Sequence, residues 1–83
     1  MTSTQVNCFL ATVRTGTIAG AAKELYLSIQ SVSTHIQNLE KEFSLTLFFR
    51  HQGGVTLTPE GQRFYRFALA WVDTYTSSLK SIE

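Results

Sequence analysis

The chain holds a single cysteine, Cys8, so no disulfide can form within it. A lone thiol fits a reducing compartment, and a cytoplasmic location is expected. Proline occurs once, as Pro59, and no low-complexity or repeated segment divides the chain. An excess of charge is also missing: seven Lys and Arg face six Asp and Glu, a net charge of +1. Any affinity for a polyanion must therefore come from where the charges sit, not from their sum. No apolar run approaches the length needed to span a bilayer, so no membrane partner is expected. Met1 to Gln5 is polar and lacks the basic and apolar regions of a signal peptide. The two histidines, His35 and His51, lie at no metal-ligand spacing with the cysteine or the acids. No serine sits in a nucleophile elbow, and Gly53-Gly54 has no following Lys-Ser/Thr of a phosphate loop. No catalysis, metal or cofactor is expected.

What is present is one small globular domain. Hydrophobic residues make up 43% of 83 residues, which suits a folded core rather than a disordered tail. A chain this short buries only about 60–65% of its unfolded surface, so the core is modest.

Five segments separate along the chain. From about Thr4 to Arg14, Val6, Phe9, Leu10 and Val13 fall on one helical face, and Gly16 ends the helix. Thr17 caps a short second helix whose stripe is Ile18, Ala21, Ala22 and Leu25. The paired alanines let another helix approach closely. Ser28 caps a third helix reaching about Phe43, with Val32, Ile36, Leu39 and Phe43 on one face. Its opposite face carries Gln30, Ser31, Thr34, His35 and Asn38. Helix, tight turn, and a second helix with an uncharged polar outer face is the helix-turn-helix layout. Leu47-Phe48-Phe49 reads as a strand, Gly53-Gly54 as a hairpin turn, and Val55 to Thr58 as the returning strand. Such a hairpin is a wing. Thr58-Pro59 then opens a last helix running to the chain end, about 37 Å long at 1.5 Å per residue. On it Phe64, Ala68, Trp71, Tyr75, Ser78 and Ile82 alternate steps of four and three, close to a heptad seam, widened by Phe67, Val72 and Leu79.

Read together, these segments predict a mainly α chain: a winged helix-turn-helix of three helices and a two-stranded wing, followed by a long C-terminal linker helix. The order resembles the N-terminal domain of LysR-type transcriptional regulators. The residues carrying the resemblance are Phe9, Gly16-Thr17-Ile18, Ala21-Ala22, Leu25, Leu27-Ser28, Val32-Ser33, Ile36 and Leu39-Glu40. Leu47-Phe48, Arg50, Val55-Thr56-Leu57-Thr58 and Glu60-Gly61 complete it. The resemblance implies a DNA-binding domain over 1–58, with the helix-turn-helix at about 18–37 and the wing at about 47–58. It implies a dimerisation helix over 59–83. It also implies a homodimer on double-stranded DNA, and a small-molecule inducer only if a C-terminal domain exists in the full protein. The chain looks like a fragment or an unusually short form. It departs from the family at Ala19, Gly20, Thr34 and Phe49, where polar, basic or acidic residues are common, and the family's Ser-Gln-Pro start of the recognition helix here reads Ser28-Ile29-Gln30.

The expected DNA contacts follow from residue chemistry. Gln30 can read adenine through two hydrogen bonds, and Ser31, Thr34, His35 and Asn38 can donate or accept at base edges or phosphates. Ile29 can pack on a thymine methyl. Ser28 and Thr17 are caps that also stand near the phosphates. Ser33 is either a phosphate contact or a small residue that permits helix packing. Arg50, the only arginine in the wing, is the leading charged contact, with a salt bridge to Glu40 or Glu42 as the alternative use. Gln52, at the wing tip, joins it. Glu40, Lys41 and Glu42 should point away from DNA. Phe64, Ala68, Trp71, Val72, Tyr75, Leu79 and Ile82 are assigned to a dimer interface, with part of that seam packing under the wing against Phe9 and Phe48. Phe49 is either extra core or interface. The competing function is a winged helix used for protein interaction or dimerisation, since one fold serves several roles.

Overall fold

A computed structural model describes residues 1–82, apart from the side chains of Tyr75, Ser77, Ser78, Lys80, Ser81 and Ile82. Four helices and one hairpin follow in the order α1 (Ser3–Thr15), α2 (Ile18–Leu25), α3 (Ile29–Phe43), β1 (Phe48–His51), β2 (Gly54–Leu57) and α4 (Pro59–Ile82). The strands pair antiparallel, with Phe48 opposite Leu57 and His51 opposite Gly54.

Side-chain caps start the helices. Thr2 accepts a hydrogen bond from the Gln5 amide, and the Gln5 side chain accepts one from the Thr2 amide. This reciprocal box begins α1 one residue earlier than the apolar spacing suggests. Thr17 caps α2 by accepting from the Gly20 amide at 2.8 Å, and Ser28 caps α3 by accepting from the Ser31 amide at 3.0 Å. Thr58 caps α4 from a buried position, accepting from the Gly61 amide and donating to the Thr46 carbonyl at 2.5 Å. The C-terminal ends are less conventional. Gly16 is left-handed, as expected, but so are Tyr26 (φ 58°) and Ser44 (φ 53°), positions where glycine is usual.

One core lies between α1, α3, the root of the wing and the start of α4. Val6, Phe9, Val32, Ile36, Leu39 and Leu47 are fully buried. Phe9 sits at its centre. Its ring lies 5.3 Å from Phe48 and 5.1 Å from Phe64, edge-on to the latter. Edge-to-face contact adds an electrostatic preference to the buried area. Cys8 is buried, and burial pushes its thiol above the ordinary value.

This packing corrects the dimer assignment at the start of α4. Phe64 and Ala68 are 6% and 0% exposed in the single chain, so they seal its core rather than face a partner. The heptad seam starts as intramolecular packing. Trp71 and Val72 are half-buried against the same core, and Leu79 is exposed. Tyr75 and Ile82, expected on the same seam, lie outside the described side chains. Phe49 is 56% exposed, so it is not extra core. Among the described residues, no helix is long and apolar enough to cross a membrane.

Candidate nucleic-acid interface

Helix α3 presents two unlike faces. Val32, Ile36 and Leu39 turn inward and are buried. Gln30, Thr34 and Asn38 are exposed, and Ser31, Ser33 and His35 are partly so. Among the described residues, no other element covers the outer side. Ser28, Gln30, Ser31, Thr34 and His35 line one open depression of about 320 Å³. Five of the expected contact residues thus converge on one place. Ile29 stands at the entry of the helix, 58% exposed. Asn38 continues the face a turn further along.

Capping limits what two of these residues offer. The Ser28 and Thr17 hydroxyl oxygens each already accept an amide hydrogen bond. Each still has a hydroxyl proton to donate, which suits a phosphate oxygen. Ser33 is only partly exposed and makes no side-chain hydrogen bond among the described residues, which leaves both of its expected roles open.

The wing is fastened to the helix-turn-helix by backbone. The Val55 amide donates to the Gly16 carbonyl at 3.0 Å. A side chain on Gly54 would meet that carbonyl oxygen at 2.3 Å and the Thr17 methyl at 3.2 Å. Gly54 also has φ 144°, a region nearly closed to other residues. The strand register gives a one-residue correction. The two-residue turn is Gln52-Gly53, not Gly53-Gly54, because Gly54 already belongs to β2. Gln52 therefore sits at the tip itself, exposed.

Arg50 pairs across the hairpin with Val55 and is exposed. Its alternative partners are engaged elsewhere. A Glu40 carboxylate oxygen accepts the Leu47 amide at 2.7 Å, and Glu42 holds the N-terminal ammonium at 2.6 Å. Among the described residues Arg50 forms no ion pair. These contacts tie the Glu40 carboxylate to the residue before the wing and the Glu42 carboxylate to the chain's N-terminus.

One ion pair was not legible beforehand. The Arg14 guanidinium donates through two nitrogens to both Glu24 oxygens, joining α1 to α2. The hydrogen bond from Arg14 holds the Glu24 carboxyl below its usual value. The same bond raises Arg14 above its own. Among the described residues, no cluster of His, Cys, Asp and Glu could hold a metal ion.

This arrangement has close counterparts. Residues 3–62 match the sequence model of the bacterial regulatory helix-turn-helix proteins of the lysR family. The chain is 46% identical over 54 residues to the HTH-type transcriptional regulator GltR of Bacillus subtilis strain 168, a match covering 65% of this chain and 18% of that protein. It is 35% identical over 74 residues to the HTH-type transcriptional regulator HdfR of Yersinia enterocolitica, covering 89% of this chain and 25% of that protein. The chain spans about a fifth to a quarter of the length of these relatives. Among solved structures, it superposes on the CbnR DNA-binding domain in complex with DNA with a TM-score of 0.94 at 28% identity, covering 98% of this chain and 93% of that one. On the BenM DNA-binding domain with catB site 1 DNA the TM-score is 0.83 at 35% identity, with 99% and 96% covered.

Proposed function

The chain belongs to the lysR family of bacterial regulatory helix-turn-helix proteins, and from that premise we propose that it is the DNA-reading part of a dimeric transcription regulator. One observation carries this reading. The polar side of α3 around Gln30 and Thr34 stands clear of every other element, beside a wing whose Arg50 is unpaired among the described residues. Burial of that edge would have defeated the idea.

The mechanism is geometric. α3 enters the major groove and reads base edges through Gln30, Ser31, Thr34, His35 and Asn38. Thr17, Ser28, Ser33, Arg50 and Gln52 hold the phosphate backbone and the neighbouring minor groove. Residues 1–58 do the reading. Residues 59–83 join two copies, with Trp71, Val72, Tyr75, Leu79 and Ile82 as the pairing side chains. The distance between the two α3 helices selects an interrupted, roughly palindromic operator. The protein acts in the cytoplasm and is no enzyme. A small-molecule inducer belongs to it only if a further domain accompanies this one.

Selection from random duplex DNA tests the reading. An enriched motif of two half-sites supports regulation. No enriched motif supports the competing role, a protein-interaction module, which the near-neutral net charge of +1 favours. Gln30→Ala should lose about 1–3 kcal/mol of discrimination at one base pair of each half-site. It should leave the melting temperature unchanged, because Gln30 is exposed.

A further inference from the structure

The apolar stripe of α3 runs past the end of the core. By helical spacing Ile29 continues the line of Val32 and Ile36, yet those two are fully buried and Ile29 is 58% exposed. The body of the protein stops a turn short of it. The neighbour across the α2–α3 connection, Tyr26, is 96% exposed and offers no cover. Ile29 is therefore a β-branched apolar side chain at the first position of the helix, flanked by the polar residues of the depression, Ser28, Gln30 and Ser31. Folding gains little from it there.

Position gives it a use. The N-terminal residues of a helix lying in the major groove are the ones that reach base edges. In that groove every base-pair edge offers hydrogen-bonding groups, and only thymine adds an apolar one, its C5 methyl. A branched hydrocarbon cannot satisfy a donor or acceptor. It can displace water from a methyl and can leave polar edges unpaired at a wrong base.

Resting on the DNA-binding reading, we propose that Ile29 is a specificity-determining residue that reads the C5 methyl of one thymine in each half-site. The neighbouring Gln30 reads the adjacent base pair. The operator of this chain thus contains a thymine whose methyl group, not its pairing edge, is recognised.

Deoxyuridine isolates the methyl, because it pairs as thymine does and lacks only that group. The whole chain is used to select an operator from random duplexes, and each thymine of that operator is then replaced in turn by deoxyuridine. For the unaltered chain, one replacement per half-site should weaken binding about three- to fivefold, the worth of one buried carbon. Ile29→Ala should bind the thymine and deoxyuridine operators equally well, while Ile29→Val keeps most of the difference. Both variants should melt with the unaltered chain, since the position is exposed. Indifference of the unaltered chain to every replacement overturns the inference and leaves DNA binding intact. So does an Ile29→Ala variant as sensitive as its parent. Failure to enrich any motif overturns the DNA-binding reading and this inference together.

Discussion

Along α3, Val32, Ile36 and Leu39 are fully buried, whereas Gln30, Thr34 and Asn38 on the other side of the same turns are exposed. The inner face is explained entirely by this chain: it packs with Phe9, Phe48 and Phe64 in one core. Among the described residues, nothing packs over the outer face. It is uncharged, so it is not there for a salt bridge, and it lines an open depression. On the proposed reading one helix answers to two partners, and its two faces should respond to substitution in separable ways. Inner changes should cost stability and leave sequence preference alone. Outer changes should do the reverse.

The largest expected effect lies inside. Phe9→Ala removes the ring on which Phe48 and Phe64 both pack. Such truncations cost about 3–5 kcal/mol, comparable with the whole stability of a small domain. Thermal denaturation followed by circular dichroism should place the variant at the edge of unfolding. In the cold, where it folds, it should prefer the same operator as the unaltered chain. A changed preference would break the separation of faces.

Gly54→Ala probes where the two regions are joined. The new side chain would strike the Gly16 carbonyl oxygen and occupy a backbone region closed to alanine. The cost should be about 1–3 kcal/mol of stability. Because the Val55–Gly16 hydrogen bond positions the wing, operator affinity should fall as well, even at temperatures where the variant is folded. Stability lost without affinity would mean that the wing contributes no DNA contact.

Arg50→Ala should leave the melting temperature unchanged, since the guanidinium is exposed and unpaired among the described residues. DNA affinity should fall by about 1 kcal/mol, roughly fivefold, and equally for every sequence. The slope of log affinity against log salt should drop by about one. A loss confined to particular sequences would move Arg50 from the backbone to a base edge.

The same division explains how much could be read before the structure. The helices, the caps Thr17, Ser28 and Thr58, the wing and the polar edge of α3 all depend on local patterning, and the sequence displays that patterning directly. What escaped depends on contacts between distant segments. A heptad seam looks alike whether its partner is the chain's own core or a second copy, so only the fold shows that Phe64 and Ala68 belong to the part packed against the core. Gly54 belongs to the strand opposite His51, and glycine is required there by the approach to Gly16, a requirement no local pattern carries. Tyr26 and Ser44 close their helices in a glycine-like conformation, which residue preference argues against. The Arg14–Glu24 pair joins two helices whose relative placement only the fold sets. The candidate site was proposed from its residue chemistry. Its concavity, and the occupation of Glu40 and Glu42 elsewhere, were not legible in the sequence.

That ion pair supplies the smallest expected effect and tests whether the surface outside the DNA face is neutral ground. Arg14 and Glu24 are exposed, and exposed pairs gain little because water screens them. Glu24→Gln should therefore shift the melting temperature at neutral pH only slightly, and should not touch operator affinity. The pH dependence gives the sharper reading. The folded Glu24 carboxyl titrates below its unfolded value because Arg14 donates to it. Its contribution is then fully present above the unfolded carboxyl value of about 4.3, and is lost as pH falls through the lower, folded one. Melting curves of the two proteins should differ slightly at pH 7 and converge only in acid, once pH has fallen through the lowered carboxyl value of the folded state. A gap that persists in acid would mean the glutamate holds α1 against α2 by packing rather than by charge.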